Sequence, residues 1–326
     1  MKFDIAITKK TDFFYYQTLK PNLVILNDWK VVVVKGKDSK KYLQSKLTID
    51  MDQLKLNKHY IAAHCSINGR VIALLRLFQF NGKYGYLIKK KAINSQVKEL
   101  VKYSIFSKVS IDVKRNLKII GLIGESSDDF LKNFFLNIPN EENPLVIEND
   151  IILFLINNTK KRYLLIFPHK KRNFLYQILV KDIIIKGFEY WNFLDIELGF
   201  PIIEKNVQEK FLPQELGLQR VFAINFFKGC YQGQEVISRA YFKKIKNNFL
   251  CWMISFKKNI LKKNLKIEVK VKNKWISIGK IIYFTSIDNN FFWIQAILNK
   301  KIDKNYKFRV FFKKYEELFL KKVFYI

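Results

Sequence analysis

Between Leu117 and Val180, β-branched apolar runs alternate with helically spaced segments in a fixed order. A strand over 117–123 is followed by a helix around 128–136, strands over 151–156 and 163–167, and a helix over 171–180. That order suits a ferredoxin-like α+β unit, with helices on one face of an antiparallel sheet.

The flanking sequence reads in the same terms. Short apolar runs at Leu23 to Leu26 and Lys30 to Val34 read as strands separated by a turn at Asn27-Asp28. Gly36-Lys37-Asp38-Ser39 opens a helix over 40–46, with Asp38 or Ser39 as N-cap. Runs at 60–66 and 71–80 flank Asn68-Gly69, a type I′ signal because both turn residues must accept positive φ. A second turn at Asn81-Gly82-Lys83 follows, and 92–103 has helical spacing with Ile93, Val97, Leu100 and Val101 on one face. Beyond Leu265, alternating strands broken at Lys272-Asn273, Asp288-Asn289-Asn290 and Lys304-Asn305 predict a small barrel or sandwich. No fixed-period repeat is visible by inspection.

Composition narrows the function classes. Hydrophobic residues make up 49% and aromatics 16%, too much for disorder. Fifty-nine Lys and Arg against 28 Asp and Glu give a formal +31. Lysines that neutralise phosphates release counterions, so this charge admits a nucleic-acid partner. The excess is mostly Lys, is spread along the chain, and accompanies abundant Ile, Asn, Phe and Tyr. AT-rich codons produce that composition without functional demand, so net charge alone decides nothing. Cys65, Cys230 and Cys251 form no CxxC pair or disulfide framework. His59, His64 and His169 are scattered, and no metal site is expected. Phosphate-loop, G-x-S-x-G and dinucleotide fingerprints are missing. The opening Met1–Lys10 lacks a signal-peptide core, and the apolar runs fall short of the roughly 18–20 residues of a spanning helix. The expectation is a soluble cytoplasmic protein with no membrane segment.

One segment carries a sharp pattern: Lys228-Gly229-Cys230-Tyr231-Gln232-Gly233-Gln234-Glu235. Its glycines permit close backbone approach or positive φ before a helix-compatible stretch, 234–241. A thiol beside a helix N-terminus and the Lys228 ammonium is favoured as thiolate. The alternative is that Cys230 is a small packed hydrophobe in a tight turn.

This segment resembles the signature of the YgfZ family, folate-binding, tRNA-modifying relatives of the glycine-cleavage T protein (aminomethyltransferase). The resemblance extends to Asp38-Ser39-Lys40-Lys41-Tyr42-Leu43-Gln44, Ala62-Ala63-His64-Cys65, Leu75-Arg76-Leu77-Phe78 and Tyr103 to Val109. It continues through Ile196-Glu197-Leu198-Gly199-Phe200-Pro201 and Phe211-Leu212-Pro213-Gln214, and is most specific over 191–239. It implies an α+β, T-protein-like three-domain ring with two ferredoxin-like units and a C-terminal small β-barrel. The implied boundaries are 1–116 plus 189–243 for the folate-binding core, 117–188 for the ferredoxin-like domain, and 244–326 for the barrel.

The resemblance further implies tetrahydrofolate as cofactor, held by Trp29 and Trp191, with Glu197 as a folate contact. Aromatic faces suit a flat pteridine, and a carboxylate accepts paired N–H donors; read without the resemblance, each Trp is core. The implied role is modification of some tRNAs by supporting iron–sulfur enzymes, and through this the regulation of replication initiation via the ATP-bound initiator protein. Implied partners are folate, those enzymes indirectly, and tRNA only weakly, with the chain a monomer. Where the T protein carries Lys-Gly-Asp-Phe, this chain has Cys230 and Tyr231. It also lacks that enzyme's catalytic aspartate region around 77–81, so no reaction is assigned. Two alternatives stay open: a tetrahydrofolate-dependent one-carbon transferase using Cys230, and a basic RNA-binding module on the same scaffold.

Overall fold

The computed structural model describes residues 20–243, 248–256, 264–288, 291–299, 306–311 and 317–324. The opening Met1–Lys10 and the turn at Lys304-Asn305 lie outside or partly outside these residues, as does the turn at Asp288-Asn289-Asn290. The chain divides into two compact units. Residues 28–54, 60–113 and 189–326 make one, and residues up to 27, 55–59 and 114–188 make the other.

Strand β1 (Asn22–Ile25) leads through the Asn27-Asp28 turn into β2 (Trp29–Lys35). These neighbours in sequence join different sheets. After β2, Gly36 adopts φ 124, where an added Cβ would meet the Lys108 carbonyl oxygen at 2.2 Å. Helix α1 (Ser39–Gln44) follows; Asp38 occupies its N-cap position, but the Asp38 carboxylate accepts the Lys108 N–H at 2.7 Å rather than capping α1. Then come β3 (His59–Cys65), β4 (Val71–Phe80), β5 (Lys83–Lys89), α2 (Ile93–Ser104) and β6 (Ser110–Lys114). The sheet order is β3-β4-β5-β2-β6. Tyr42, Leu43, Ile93 and Leu100 of the two helices pack on Val32, Val34, Leu75, Leu77 and Tyr86. Val101, expected on the same helical face, is exposed.

The two hairpin turns exchange the expected geometry. Asn81 and Gly82 both have positive φ (46 and 68), so the type I′ form sits there. At 66–70 only Gly69 is left-handed, with Gly69 N–H donating to the Ser66 carbonyl and Ser66 N–H to that of Arg70. This is the three-residue loop that ends on a left-handed glycine.

The second unit contains β7 (Leu117–Ile123), α3 (Ser127–Lys132), β8 (Leu145–Glu148), β9 (Ile151–Asn157), β10 (Arg162–Pro168), α4 (Arg172–Leu179) and β11 (Ile184–Lys186). Its sheet order is β11-β1-β7-β10-β9-β8. Strand β1 is antiparallel to β7 and parallel to β11. Leu23 at its centre is fully buried in the core with Leu131, Phe135 and Ile178 of the helical layer. The run 23–26, grouped by sequence with the N-terminal block, therefore completes the 117–188 sheet.

With β1 set aside, the two units share one topology: β-α-β-β-β-α-β with the same strand order. They also share a turn. Gly36 and Gly124 follow the first strand at φ 124 and 127, and each carbonyl accepts the N–H of the serine three residues on, Ser39 and Ser127. The repeat absent from the sequence is present in the backbone.

The chain continues through α5 (Phe188–Leu198) and α6 (Gln234–Phe242). Strands β12 (Phe249–Ser255), β13 (Lys266–Val271), β14 (Lys274–Asp288), β15 (Phe291–Leu298), β16 (Phe308–Val310) and β17 (Glu317–Val323) close a barrel in the order β12-β15-β14-β13-β16-β17. Closure pairs every edge. Met253, Ile267, Val269, Ile278, Ile294 and Phe308 fill its interior. No helix among the described residues is long and apolar enough to cross a membrane.

Candidate functional site

The sheet face opposite α1 and α2 builds a cavity. Antiparallel pairing sets Trp29 of β2 directly beside Lys89 of β5. Arg76 of β4 pairs with Leu87, which puts Leu74, two residues before Arg76, on the same face as Lys89. Trp29, Leu74, Lys89 and Ala92 form one wall, and Asp195, Phe200, Pro201, Ile202 and Ile203 the other. The space between the two walls, counting the part open to solvent, is about 290 Å³.

Helix α5 ends in a way that delivers the second wall. Gly199, at φ 70, donates its N–H to Ile196 O at 3.0 Å, and Phe200 donates to Asp195 O at 2.8 Å. That pair of bonds is the Schellman stop, with glycine at the left-handed position. Arg220 supports the end from outside, reaching the Leu198 and Gly199 carbonyls at 3.3 and 3.4 Å with its guanidinium 4.5 Å from the Phe324 ring centre. Gln295, fully buried in the barrel, receives Ile202 N–H and donates to Phe200 O, both at 2.9 Å. The first wall stands mainly on strands, whereas in the second only Asp195 is helical and Phe200 to Ile203 are irregular chain pinned by these hydrogen bonds.

Lys89 organises the floor. Its ammonium donates to Asp28 Oδ2 and Asn192 Oδ1, each at 2.6 Å, and lies 4.5 Å from the Trp29 ring centre. Asn192 in turn donates to the Tyr283 hydroxyl at 2.8 Å. Burial pushes the Tyr283 phenol upward, so it stays neutral. The indole Nε1 of Trp29 is buried without an acceptor among the described residues.

The residues singled out by sequence fall in two places. Trp29 lines the cavity. Trp191 is buried on α5, one turn before Asp195, and does not line the cavity; Glu197, half-buried on the same helix, does not line it either. Asp195 and Lys89 were missed. Asp195 stands four residues after Trp191, the spacing that shares a helix face, and Lys89 is the register partner of Trp29.

The segment 228–235 forms a separate structure. The Lys228 side chain is buried, and its ammonium donates to the carbonyls of Gln44, Leu47 and Ile49 at 2.6, 2.8 and 2.8 Å. Burial lowers its pKa to about 8. Gly229 and Cys230 are exposed, and Tyr231 is buried with its ring centre 5.1 Å from the Lys228 ammonium. Burial raises the Tyr231 pKa. Gln232 donates to Glu99 and accepts from Lys46, each at 3.0 Å. Gly233, at φ 81, is the N-cap of α6. Gln234 folds back, accepting the Tyr231 N–H at 3.2 Å and donating to Lys228 O at 3.3 Å. Glu235 is exposed and paired with Arg239 at 2.6 Å. None of these residues lines the cavity.

Comparison with known proteins places this architecture. Residues 247–312 match the family described as YgfZ, beta-barrel domain. The solved aminomethyltransferase T of the glycine cleavage system from Bartonella henselae superposes with a TM-score of 0.76 at 12% identity, covering 94% of this chain and 86% of that one. This is a likeness of fold. The tRNA-modifying protein YgfZ of Buchnera aphidicola subsp. Acyrthosiphon pisum (strain APS) is 36% identical over 292 residues, 90% of this chain and 92% of its own. Its counterpart from Buchnera aphidicola subsp. Baizongia pistaciae (strain Bp) is 38% identical over 298 residues, 91% and 92%. That from Hamiltonella defensa subsp. Acyrthosiphon pisum (strain 5AT) is 33% identical over 289 residues, 88% and 86%. With identities of this size across most of both sequences, the chain belongs to the YgfZ family.

Proposed function

We propose that this chain is a cytoplasmic, monomeric, folate-binding protein that serves tRNA modification by supporting iron–sulfur enzymes, with its effect on replication initiation following from that support. The observation that carries folate binding is the cavity itself. Trp29 lines the cavity, its buried indole N–H lacks an acceptor among the described residues, and Asp195 supplies a carboxylate on the opposing wall. A pterin is a flat bicycle edged with N–H donors and a carbonyl acceptor. A carboxylate accepts such donors, and an indole N–H meets such a carbonyl. By donor and acceptor type these residues suit the pterin end of tetrahydrofolate, and Asp195 lines the cavity where Glu197 does not.

The relatives' name, tRNA-modifying protein, supports the tRNA role, and the T-protein fold supports the folate connection. Thiol chemistry gains no support from the geometry. Cys230 is exposed outside the cavity lining, and the Lys228 ammonium is directed at three carbonyls.

The test is calorimetric titration of tetrahydrofolate into the wild-type chain and into Asp195→Asn and Trp29→Ala. The expected result is binding by wild type and at least about tenfold weaker binding by each variant, about 1.4 kcal/mol or more. Unchanged affinity in both folded variants would place folate elsewhere.

A further inference from the structure

The outer face of the barrel carries a charge pattern that its own stability does not explain. Ile267 and Val269 of β13, Ile278 of β14, and Phe308 and Val310 of β16 point into the core. Strand alternation therefore turns Lys266, Lys270, Lys307 and Arg309 outward. The register then sets lysines in adjacent positions. Lys266 is the direct partner of Lys280, and Lys270 donates its backbone N–H to Lys307 O at 2.9 Å. Like charges in adjacent positions of a sheet are destabilising. The carboxylate in this patch, Glu268, is already taken by Arg309 at 2.7 Å. Lys266, Lys270 and Lys307 are exposed and have no carboxylate partner among the described residues. Trp275, the register partner of Lys270, lies half-buried under the Arg309 guanidinium, 4.2 Å from its ring centre. The stacked Arg309 is thereby held against the sheet, and the Lys266 ammonium lies 5.6 Å from the Phe311 ring centre.

We infer that this face, the outer surface of β13, β14 and β16, binds the phosphate backbone of RNA. Three exposed ammonium groups without a carboxylate partner among the described residues, on adjacent strands of a closed sheet, suit a polyanion with regularly spaced charges, and each phosphate neutralised releases counterions. The inference goes beyond the folate reading and does not depend on the cavity.

The experiment compares two charge-matched triple variants of the full chain. One is Lys266→Gln, Lys270→Gln, Lys307→Gln on the barrel face. The other is Lys98→Gln, Lys170→Gln, Lys181→Gln at exposed positions elsewhere. Unfractionated tRNA and phosphatidylserine vesicles are the probes, with affinity followed across salt concentration, and a thermal melt reports folding. The barrel variant is expected to bind tRNA about tenfold or more weakly and to flatten the log K against log[salt] slope by about 2–3. Its melt should be unchanged or higher, because like-charge pairs have been removed. The control variant should keep most of the affinity. Equal weakening by both variants, or wild-type tRNA binding by the barrel variant, would overturn the inference. So would a loss confined to vesicle binding. Tetrahydrofolate titration on the same samples separates this outcome from the folate reading: its failure in every sample counts against the cavity alone.

Discussion

Gly233 and Gly69, in segments 164 positions apart, pack backbone against backbone. A Cβ on Gly233 would stand 2.5 Å from Ser66 O, 2.8 Å from Gly69 Cα and 2.9 Å from Gly69 N. The N-cap of α6 is thus seated on the β3–β4 turn; a Cβ on Gly233 would collide with main chain, and one on Gly69 would press on Val236, Ile237 and Gly233 O at 3.1–3.2 Å. Gly229, in the same eight-residue segment, has nothing within 4 Å of its would-be Cβ.

These two glycines should separate cleanly on mutation. Gly233→Ala combines a left-handed backbone with a collision against main chain, so unfolding in urea should show a loss of about 3 kcal/mol. Gly229→Ala should stay within about 0.5 kcal/mol of wild type. Equal losses would show that segment 228–235 is sensitive for another reason.

Lys228→Met should be among the most damaging changes outside the hydrophobic clusters. It leaves the Gln44, Leu47 and Ile49 carbonyls without their shared donor, at about 1–3 kcal/mol for each acceptor that water cannot reach. A total loss of about 3 kcal/mol is expected in chemical denaturation. Lys228→Met at wild-type stability would mean that solvent reaches the three carbonyls.

His64 is fully buried, and burial lowers its pKa from 6.5 to about 3. In the window between those values the unfolded chain binds the proton and the folded chain does not. Stability should therefore fall as pH drops below about 6.5, by up to about 1.4 kcal/mol per unit from this group. His64→Gln should flatten that acid limb relative to wild type while costing some stability at pH 8. Parallel pH profiles would place a proton on His64 in the fold.

The two tryptophans should report different physics. Trp29→Phe keeps an aromatic wall but shrinks it, so tetrahydrofolate affinity should drop several-fold with a small change in melting temperature. Trp191, 2% exposed, should behave as core: Trp191→Ala is expected to cost about 3–5 kcal/mol. Trp191→Phe should lower the melt yet leave tetrahydrofolate affinity near wild type. Titration calorimetry beside thermal melts distinguishes the two patterns.

Periodicity carried the element types because apolar alternation and turn residues act locally. What it could not carry was pairing between distant segments. Nothing around Leu23 announces that β1 crosses to the 117–188 sheet, since a strand buried among β7, β11 and two helices reads like any other apolar run. Asn68-Gly69 departs from the type I′ form because Ser66 and Arg70 close a three-residue loop, and the packing of that loop on Gly233 is invisible from either end. Trp29 was legible through family resemblance. Asp195 and Lys89 emerged only when the Schellman stop and the β2–β5 register set them on opposing walls. The duplicated topology hid because few residues around its shared turn are common to both copies, among them Gly36, Ser39 and Leu43 against Gly124, Ser127 and Leu131.

The division of the chain also has a consequence for its synthesis. One unit is interrupted by residues 114–188 of the other and resumes only at Glu189. Trp29, Leu74 and Lys89 all leave the ribosome before Asp195 and Phe200, the residues that will face them, and Lys89, the last of the three, precedes Asp195 by 106 residues. At roughly 5–20 residues per second, that half-built apolar wall waits about 5–20 s for its cover. During that interval the newborn chain presents a bare sheet face to the cell, and a chaperone that shields it would act before the second wall exists.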